Sequence, residues 1–304
     1  MTLAVAPWAC DENLLHGQGF GIEASRRYCR GMARGHYENF PVALSLFDKG
    51  QQRALAAIYA FARTADDFAD ESGFSGLRER MLADWERQLR ACFEGEATHP
   101  VFIALREAVA AHDLPIEPFL DLLDAFVQDC SKTSYATFDE VLDYCRRSAN
   151  PVGRLVLKVL GAKKPELVPW SDRICTALQL TNFWQDISVD AKKSRIYLPD
   201  EDLERFKVPA AAILNRRGAL GFGPLVRFEA ARTKALFLEG RPLLARAGFP
   251  GTLYFSAVWL GGRAVLRMVR EAGEQVLHRR PVLCARSFVR VAAGAGRDRL
   301  AVLA

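Results

Sequence analysis

A chain of 304 residues, half of them hydrophobic and a quarter charged, suits one large or two ordinary globular domains. Its net charge of +5 and pI near 8.9 fit anionic small molecules or an anionic membrane surface. Lys and Arg are interleaved with acids throughout and no nucleic-acid motif appears, which argues against a nucleic-acid partner.

Helical signals run the length of the chain. Apolar residues recur at three- and four-residue spacing, as in Leu55, Ile58, Ala62 and Ala65, or Phe119, Leu122, Leu123 and Phe126. Breakers fall between such runs, at Gly73, Leu114-Pro115, Gly161 with Pro165, Pro199, Pro209 and Phe249-Pro250-Gly251. The pattern predicts helices at roughly 23–35, 39–72, 75–94, 99–111, 116–130, 138–161, 168–190, 209–215, 218–246 and 251–277. The fold class expected is all-α. No Gly/Ser/Pro-rich linker or repeat divides the chain, so one helical domain at 23–280 is expected, between an N-terminal extension, 1–22, and a C-terminal tail, 281–304.

Two aspartate clusters stand out. In Arg63-Thr-Ala-Asp66-Asp67-Phe-Ala-Asp70-Glu71, spacings of three and four put Asp66, Asp67 and Asp70 on one helix face. Arg63 can relieve Asp67 at i+4, leaving the other acids without a partner on the helix. In Gln179-Leu-Thr-Asn182-Phe-Trp-Gln-Asp186-Ile-Ser-Val-Asp190, four amide or carboxylate residues form one stripe on a helix whose other faces are apolar. A core helix would carry Leu or Ala there, because buried polar groups must be satisfied. Two carboxylate stripes suit Mg²⁺, which takes oxygen ligands from a few carboxylates, water and substrate phosphates. Lys192, Lys193, Arg195 and Tyr197 follow directly and read as a flap closing on a diphosphate. A third segment, Tyr144-Cys-Arg146-Arg147-Ser148-Ala-Asn150-Pro151-Val-Gly153, places a proline inside a helical pattern. Pro151 either kinks that helix or starts a new one.

Together these three motifs resemble the squalene/phytoene synthase family, the trans head-to-head prenyl synthases, across residues 24–275. Within it, His36-Tyr-Glu-Asn-Phe40-Pro-Val42 and Ser148-Ala-Asn150-Pro151-Val-Gly153 resemble the bacterial hydroxysqualene synthases of hopanoid biosynthesis. The resemblance implies an isoprenoid-synthase helical bundle around a central apolar cavity. It implies an enzyme, a carbon–oxygen lyase acting on phosphates, that ionises presqualene diphosphate with Mg²⁺ as cofactor and captures the final cation with water.

On that resemblance Asp66, Asp67, Asp70, Asp186 and Asp190 are the expected metal ligands. Tyr144, Asn150, Asn182 and Asp186 are the expected catalytic residues, with Asn150 or the carbonyl freed by Pro151 positioning the water. Phe40, Phe47, Arg63, Arg147, Gln179, Lys193, Arg195 and Tyr197 are the expected substrate-binding residues. Phe126, Phe183 and Tyr254 join the aromatic candidates for the cavity wall.

No G-x-G-x-x-G fingerprint appears, and water capture needs no NADPH. The rival within the same chemistry is a condensing synthase making presqualene diphosphate, dehydrosqualene or phytoene. The rival of another class is a non-catalytic helical assembly factor, which predicts eroded carboxylates.

Cysteines at 10, 29, 92, 130, 145, 175 and 284 form no C-x-x-C pair, which argues for a reducing compartment and against a disulfide framework or zinc site. The N-terminus is a poor signal peptide, and the apolar stretch from Phe249 ends at Arg263, short of the ~18 residues a membrane span needs. A cytoplasmic enzyme is expected, with peripheral contact to the inner membrane face and functional coupling to other squalene-pathway enzymes.

Overall fold

Asp48 shows how the sequence sets its helix starts. Its side chain accepts from the Gln51 amide at 2.9 Å while Gln51 Oε1 accepts from the Asp48 amide at 3.2 Å. This reciprocal capping satisfies two donors that a helix end leaves orphaned. The computed structural model describes residues 20–35, 47–162 and 164–282, and every regular element among them is helical. They divide into two compact units: the first holds the residues up to Ser131 together with 155–163, and the second holds 132–154 and everything after 163.

The first unit contains α1 (Ile22–Gly35), α2 (Lys49–Asp70), α3 (Arg78–Phe93), α4 (Pro100–His112) and α5 (Glu117–Asp129). Its core is aromatic. The Trp85 ring packs against Phe61, Phe68, His99 and Phe102, and its Nε1 donates to the Phe61 carbonyl at 3.3 Å. Each such ring removed from water contributes about 1.5–3 kcal/mol. His99 caps α4, its Nδ1 accepting from the Val101 amide at 3.2 Å. Burial lowers its pKa to about 4, which keeps that nitrogen an acceptor. α2 ends at Asp70, where Glu71 turns extended and Phe74 folds back edge-on to Phe68 at 5.0 Å.

The second unit contains α6 (Phe138–Ser148), the first half of α7 (Asn150–Val159), α8 (Leu167–Asp190), α9 (Asp200–Arg205), α10 (Ala210–Leu214), α11 (Phe222–Glu239), α12 (Pro242–Arg246) and α13 (Gly251–Ala272). α8 is its spine, packed against α6, α11 and α13. Trp184 on α8 donates to the Thr233 hydroxyl at 2.9 Å, which in turn donates to the Glu229 carbonyl at 2.8 Å. Gly153 lets α7 approach α8 closely, since a Cβ there would lie 2.5 Å from both Cys175 Sγ and Ser171 Oγ. No described helix is long and apolar enough to cross a membrane.

Several boundaries differ from the pattern-based expectation. The helix expected at 138–161 is two helices parted by Ala149, so Asn150-Pro151 opens a new helix. Proline is tolerated in a first turn because its missing N–H would have had no partner there. The helix expected at 218–246 starts at Phe222 and breaks at Gly240, where a Cβ would meet Ile174 and the Trp170 carbonyl. The helix expected from residue 39 begins at Lys49 within the described residues, and the short α9 had no counterpart.

Candidate active site

On α2 the positions left partly open from Tyr59 onward are Tyr59, Ala62, Arg63, Asp66, Asp67 and Asp70. Their spacing makes one stripe along a helix whose remaining faces are buried. Arg63 lies between the first two carboxylates, 3.3 Å from Asp66 and in closer contact with Asp67. The arginine thus reaches Asp66 as well as Asp67, although helix spacing alone assigned it only the i+4 partner. Asp67 is the more enclosed of the pair, its side chain 17% exposed against 44% for Asp66. Of these two carboxylates Asp66 is therefore the more accessible.

On α8 the same pattern recurs with more contrast. Leu180, Thr181, Phe183, Trp184, Gln185, Ile187 and Ser188 are buried. Gln179, Asn182, Asp186 and Asp190 are partly open and align as one polar strip. Arg280 donates to Asp186 through Nε and through an Nη at 3.3 Å from the second oxygen. Gln185 Nε2 donates to the Pro281 carbonyl at 2.5 Å, so residues 280–281 are fastened to α8 at two adjacent points.

The segment that follows α8 is held firmly. Ser194 takes a left-handed conformation, φ 58°, and turns the chain back so that the Arg195 amide donates to the Asp190 carbonyl at 3.0 Å. The Tyr197 ring then lies flat on Phe183, centroids 3.8 Å apart and planes within 6°. Tyr144 is buried and touches the same cluster, 5.8 Å from Phe183 and 6.0 Å from Tyr197. Asn150, 7% exposed, accepts a hydrogen bond from the Thr176 hydroxyl at 3.0 Å. That bond fixes the start of α7 against α8.

The expected residues thus fall into recognisable groups. Asp66, Asp67, Asp70 and Arg63 share one helix face in the first unit. Gln179, Asn182, Asp186 and Asp190 share one in the second, where Tyr144, Asn150 and Tyr197 are neighbours of α8 and Tyr144 and Tyr197 meet its Phe183. Arg147 sits with Arg146 on Asp143, at 2.9 and 2.8 Å, and these cations hold the Asp143 carboxyl below its usual range. Lys193 is exposed and Arg195 half-buried. Phe47, Phe126 and Tyr254 are buried. Phe40 lies outside the described residues.

Two residues at this site had no place in the sequence-based set. Arg280 belongs to an Arg279-Arg280-Pro281 run after the last helix, a basic pair that could have marked it. Tyr135 stacks on Tyr197 at 5.6 Å and carries no sequence signal beyond being a tyrosine before a helix cap.

The donor set fits magnesium. On each helix taken by itself the partly open carboxylates offer oxygen ligands, and Mg²⁺ is ordinarily held by one or two carboxylates with water and substrate phosphate completing its octahedron. Among the described residues no group of three or more His, Cys, Asp or Glu side chains surrounds a common point.

The chain is similar to known proteins. A family model described as squalene/phytoene synthase matches residues 33–287. The hydroxysqualene synthase of Zymomonas mobilis is 38% identical over 208 residues, covering 67% of this chain and 69% of its own. The phytoene synthase of Arthrospira platensis is 32% identical over 226 residues, covering 70% and 73%. Among solved structures, the squalene synthase HpnC from Alicyclobacillus acidocaldarius superposes with a TM-score of 0.78 at 40% identity, over 83% of this chain and 95% of that one.

Proposed function

The chain belongs to the squalene/phytoene synthase family, and we propose that within this family of head-to-head prenyl synthases its reaction is that of a hydroxysqualene synthase. Presqualene diphosphate ionises, its cyclopropylcarbinyl cation rearranges, and water captures the final cation. The products are hydroxysqualene and diphosphate, with the proton of the captured water released.

Asp66, Asp70, Asp186 and Asp190 would hold magnesium, with Asp67 kept in place by Arg63. Bound magnesium neutralises the charge that develops on the departing diphosphate. Lys193, Arg195 and Tyr197 hold the anion as it leaves, Arg147 and Gln179 orient it, and Asn182 extends the polar strip beside Asp186. Phe183 and Tyr144 present ring faces that shield a cation from premature capture. Phe40, Phe47, Phe126 and Tyr254 are assigned to the walls for the prenyl chains.

The observation that carries the choice of water over hydride or a second prenyl group is the buried Asn150, opened at a proline-started helix and oriented by Thr176. A buried amide already oriented by a neighbour is a polar group suited to positioning a single water in an otherwise dry cavity. The higher identity to a hydroxysqualene synthase than to a phytoene synthase, 38% against 32%, supports the same choice. The test is to incubate the purified protein with presqualene diphosphate and Mg²⁺, without NADPH, and identify the product. Hydroxysqualene is expected; condensation of farnesyl or geranylgeranyl diphosphate with no turnover of presqualene diphosphate overturns the reading in favour of a condensing synthase.

A further inference from the structure

Between α5 and α6 runs a short strap, Lys132 to Thr137, that the proposed chemistry does not use. It is bonded along its length to the segment that follows α8. The amide of Ile196 donates to the Thr133 carbonyl at 2.9 Å, that of Asp200 to Tyr135 at 2.8 Å, and that of Glu201 to Ala136 at 3.1 Å. In the other direction the Phe138 amide donates to Glu201 Oε1 at 2.7 Å. These four bonds tie the strap and the first residue of α6 to the stretch from Ile196 into the start of α9, and fix their register as a ladder would.

At the centre of the strap is Tyr135, 1% exposed. Its ring stacks on Tyr197 at 5.6 Å with planes 25° apart, and meets Tyr144 edge-on at 5.9 Å. Tyr197 is therefore stacked against both Phe183 of α8 and Tyr135 of the strap. Lys132 Nζ stands 4.5 Å from the centre of the Tyr135 ring and 2.8 Å from Glu140, which ties the strap to the first turn of α6. Glu140 also accepts from the Ala136 amide at 3.2 Å. Side-chain stacking, main-chain bonds and an ion pair thus all act on the same six residues.

We propose that Tyr135 is a positioning residue, whose ring and flanking carbonyls hold the 195–201 segment in register with α8 so that Arg195 and Tyr197 meet the leaving diphosphate already in place. Binding groups ordered before the reaction spend no free energy on ordering during it, which is how a residue without substrate contact raises a rate. The inference rests on the proposed role of Arg195 and Tyr197, and its test separates the two.

Limited trypsin digestion after Lys192, Lys193 and Arg195 reads the attachment of the segment without any substrate. Tyr135→Leu should speed that cleavage about 10-fold, and Tyr135→Phe, which keeps the stacked ring, should stay within about twofold of wild type, because cleavage follows local opening. With presqualene diphosphate, Tyr135→Leu should lower kcat about 10- to 100-fold while KM changes less than about threefold, the pattern of lost transition-state contacts. If the Leu variant does not fold by circular dichroism, Lys132→Gln removes the cation over the ring from a partly exposed position and should still speed cleavage about twofold. Wild-type cleavage and kcat in Tyr135→Leu, or loss of both in Tyr135→Phe, overturns the inference. A wild-type protein that turns over no prenyl diphosphate overturns the functional reading and the catalytic half of this inference, and the cleavage rates still decide the attachment.

Discussion

Arg280 and Asp186, 94 residues apart in sequence, form an ion pair in which the guanidinium addresses both carboxylate oxygens. The pair joins the end of the last described segment to the middle of the polar strip on α8. Both side chains are largely enclosed, 32% and 18% exposed, so the attraction is less screened than at an open surface. Arg280→Ala should destabilise the protein by about 1–2 kcal/mol in urea unfolding, and Arg280→Lys, which cannot reach both oxygens, should recover only part of that. A loss below ~0.3 kcal/mol would show the pair to be energetically idle.

Asp66 and Asp186 are each expected to hold magnesium that carries diphosphate. Mg²⁺ together with inorganic diphosphate should raise the melting temperature of the wild type, because a ligand that binds only the folded state stabilises it by about 2.7 kcal/mol at 100 times its Kd. Asp66→Asn and Asp186→Asn should each abolish most of that rise and lower kcat by about 100-fold or more. An undiminished thermal shift in both variants would remove the carboxylates from the metal site.

Asn150 carries the assignment of water as the quenching nucleophile. Asn150→Ala should cut the rate of hydroxysqualene formation about 10-fold or more, and Thr176→Val, which removes the donor that orients the amide, should cut it by a smaller factor. Hydroxysqualene formation at the wild-type rate in Asn150→Ala would leave the water to a main-chain carbonyl instead.

Glu229 gives a pH signature unrelated to the proposed chemistry. It is fully enclosed beside Asp202, with Arg232 donating to both at 2.6–2.7 Å and lying over the Phe138 ring. Burial pushes the Glu229 carboxyl up to about 8 from an ordinary 4.5, against the opposing pull of Arg232. A folded-state value above the unfolded one means the folded state binds the extra proton, so this group's stabilisation is complete below pH 4.5 and is lost as pH rises toward 8. Stability of the wild type relative to Glu229→Gln should therefore fall across that window, by at most about 1.4 kcal/mol per pH unit. Parallel pH profiles for the two proteins would place the ionised form in the fold.

Gly153 tests the packing of α7 on α8. Gly153→Ala places a methyl 2.5 Å from Cys175 Sγ and Ser171 Oγ, and the resulting overpacking should cost about 1–3 kcal/mol. A neutral or stabilising effect would mean that α7 shifts freely.

Local periodicity carried most of this protein's architecture. The burial of Leu55, Ile58 and Ala65 on α2, and of Leu180, Phe183 and Ile187 on α8, follows directly from 3.6-residue spacing. So does the alignment of Asp66 with Asp70, and of Gln179 with Asn182, Asp186 and Asp190, because side-chain direction on a helix is a property of position alone. The same spacing could not set where helices stop. Asn150-Pro151 fits both a kink and a start, and α11 ends at Gly240, where Ile174 and Trp170 of α8 leave no room for a Cβ.

What the tertiary structure decided is which distant groups share an environment. Arg280 reaching Asp186, Tyr135 stacking on Tyr197, Thr176 orienting Asn150 and Arg232 bridging Glu229 to Asp202 are all contacts between residues far apart in sequence or on different helices. No spacing rule encodes them, since each depends on how helix faces and loops pack. The sequence alone determined the two carboxylate faces and the family they mark. Packing decided what holds the α8 carboxylate strip and its following segment in place, because chain separation does not limit how closely two side chains meet once the helices between them have folded.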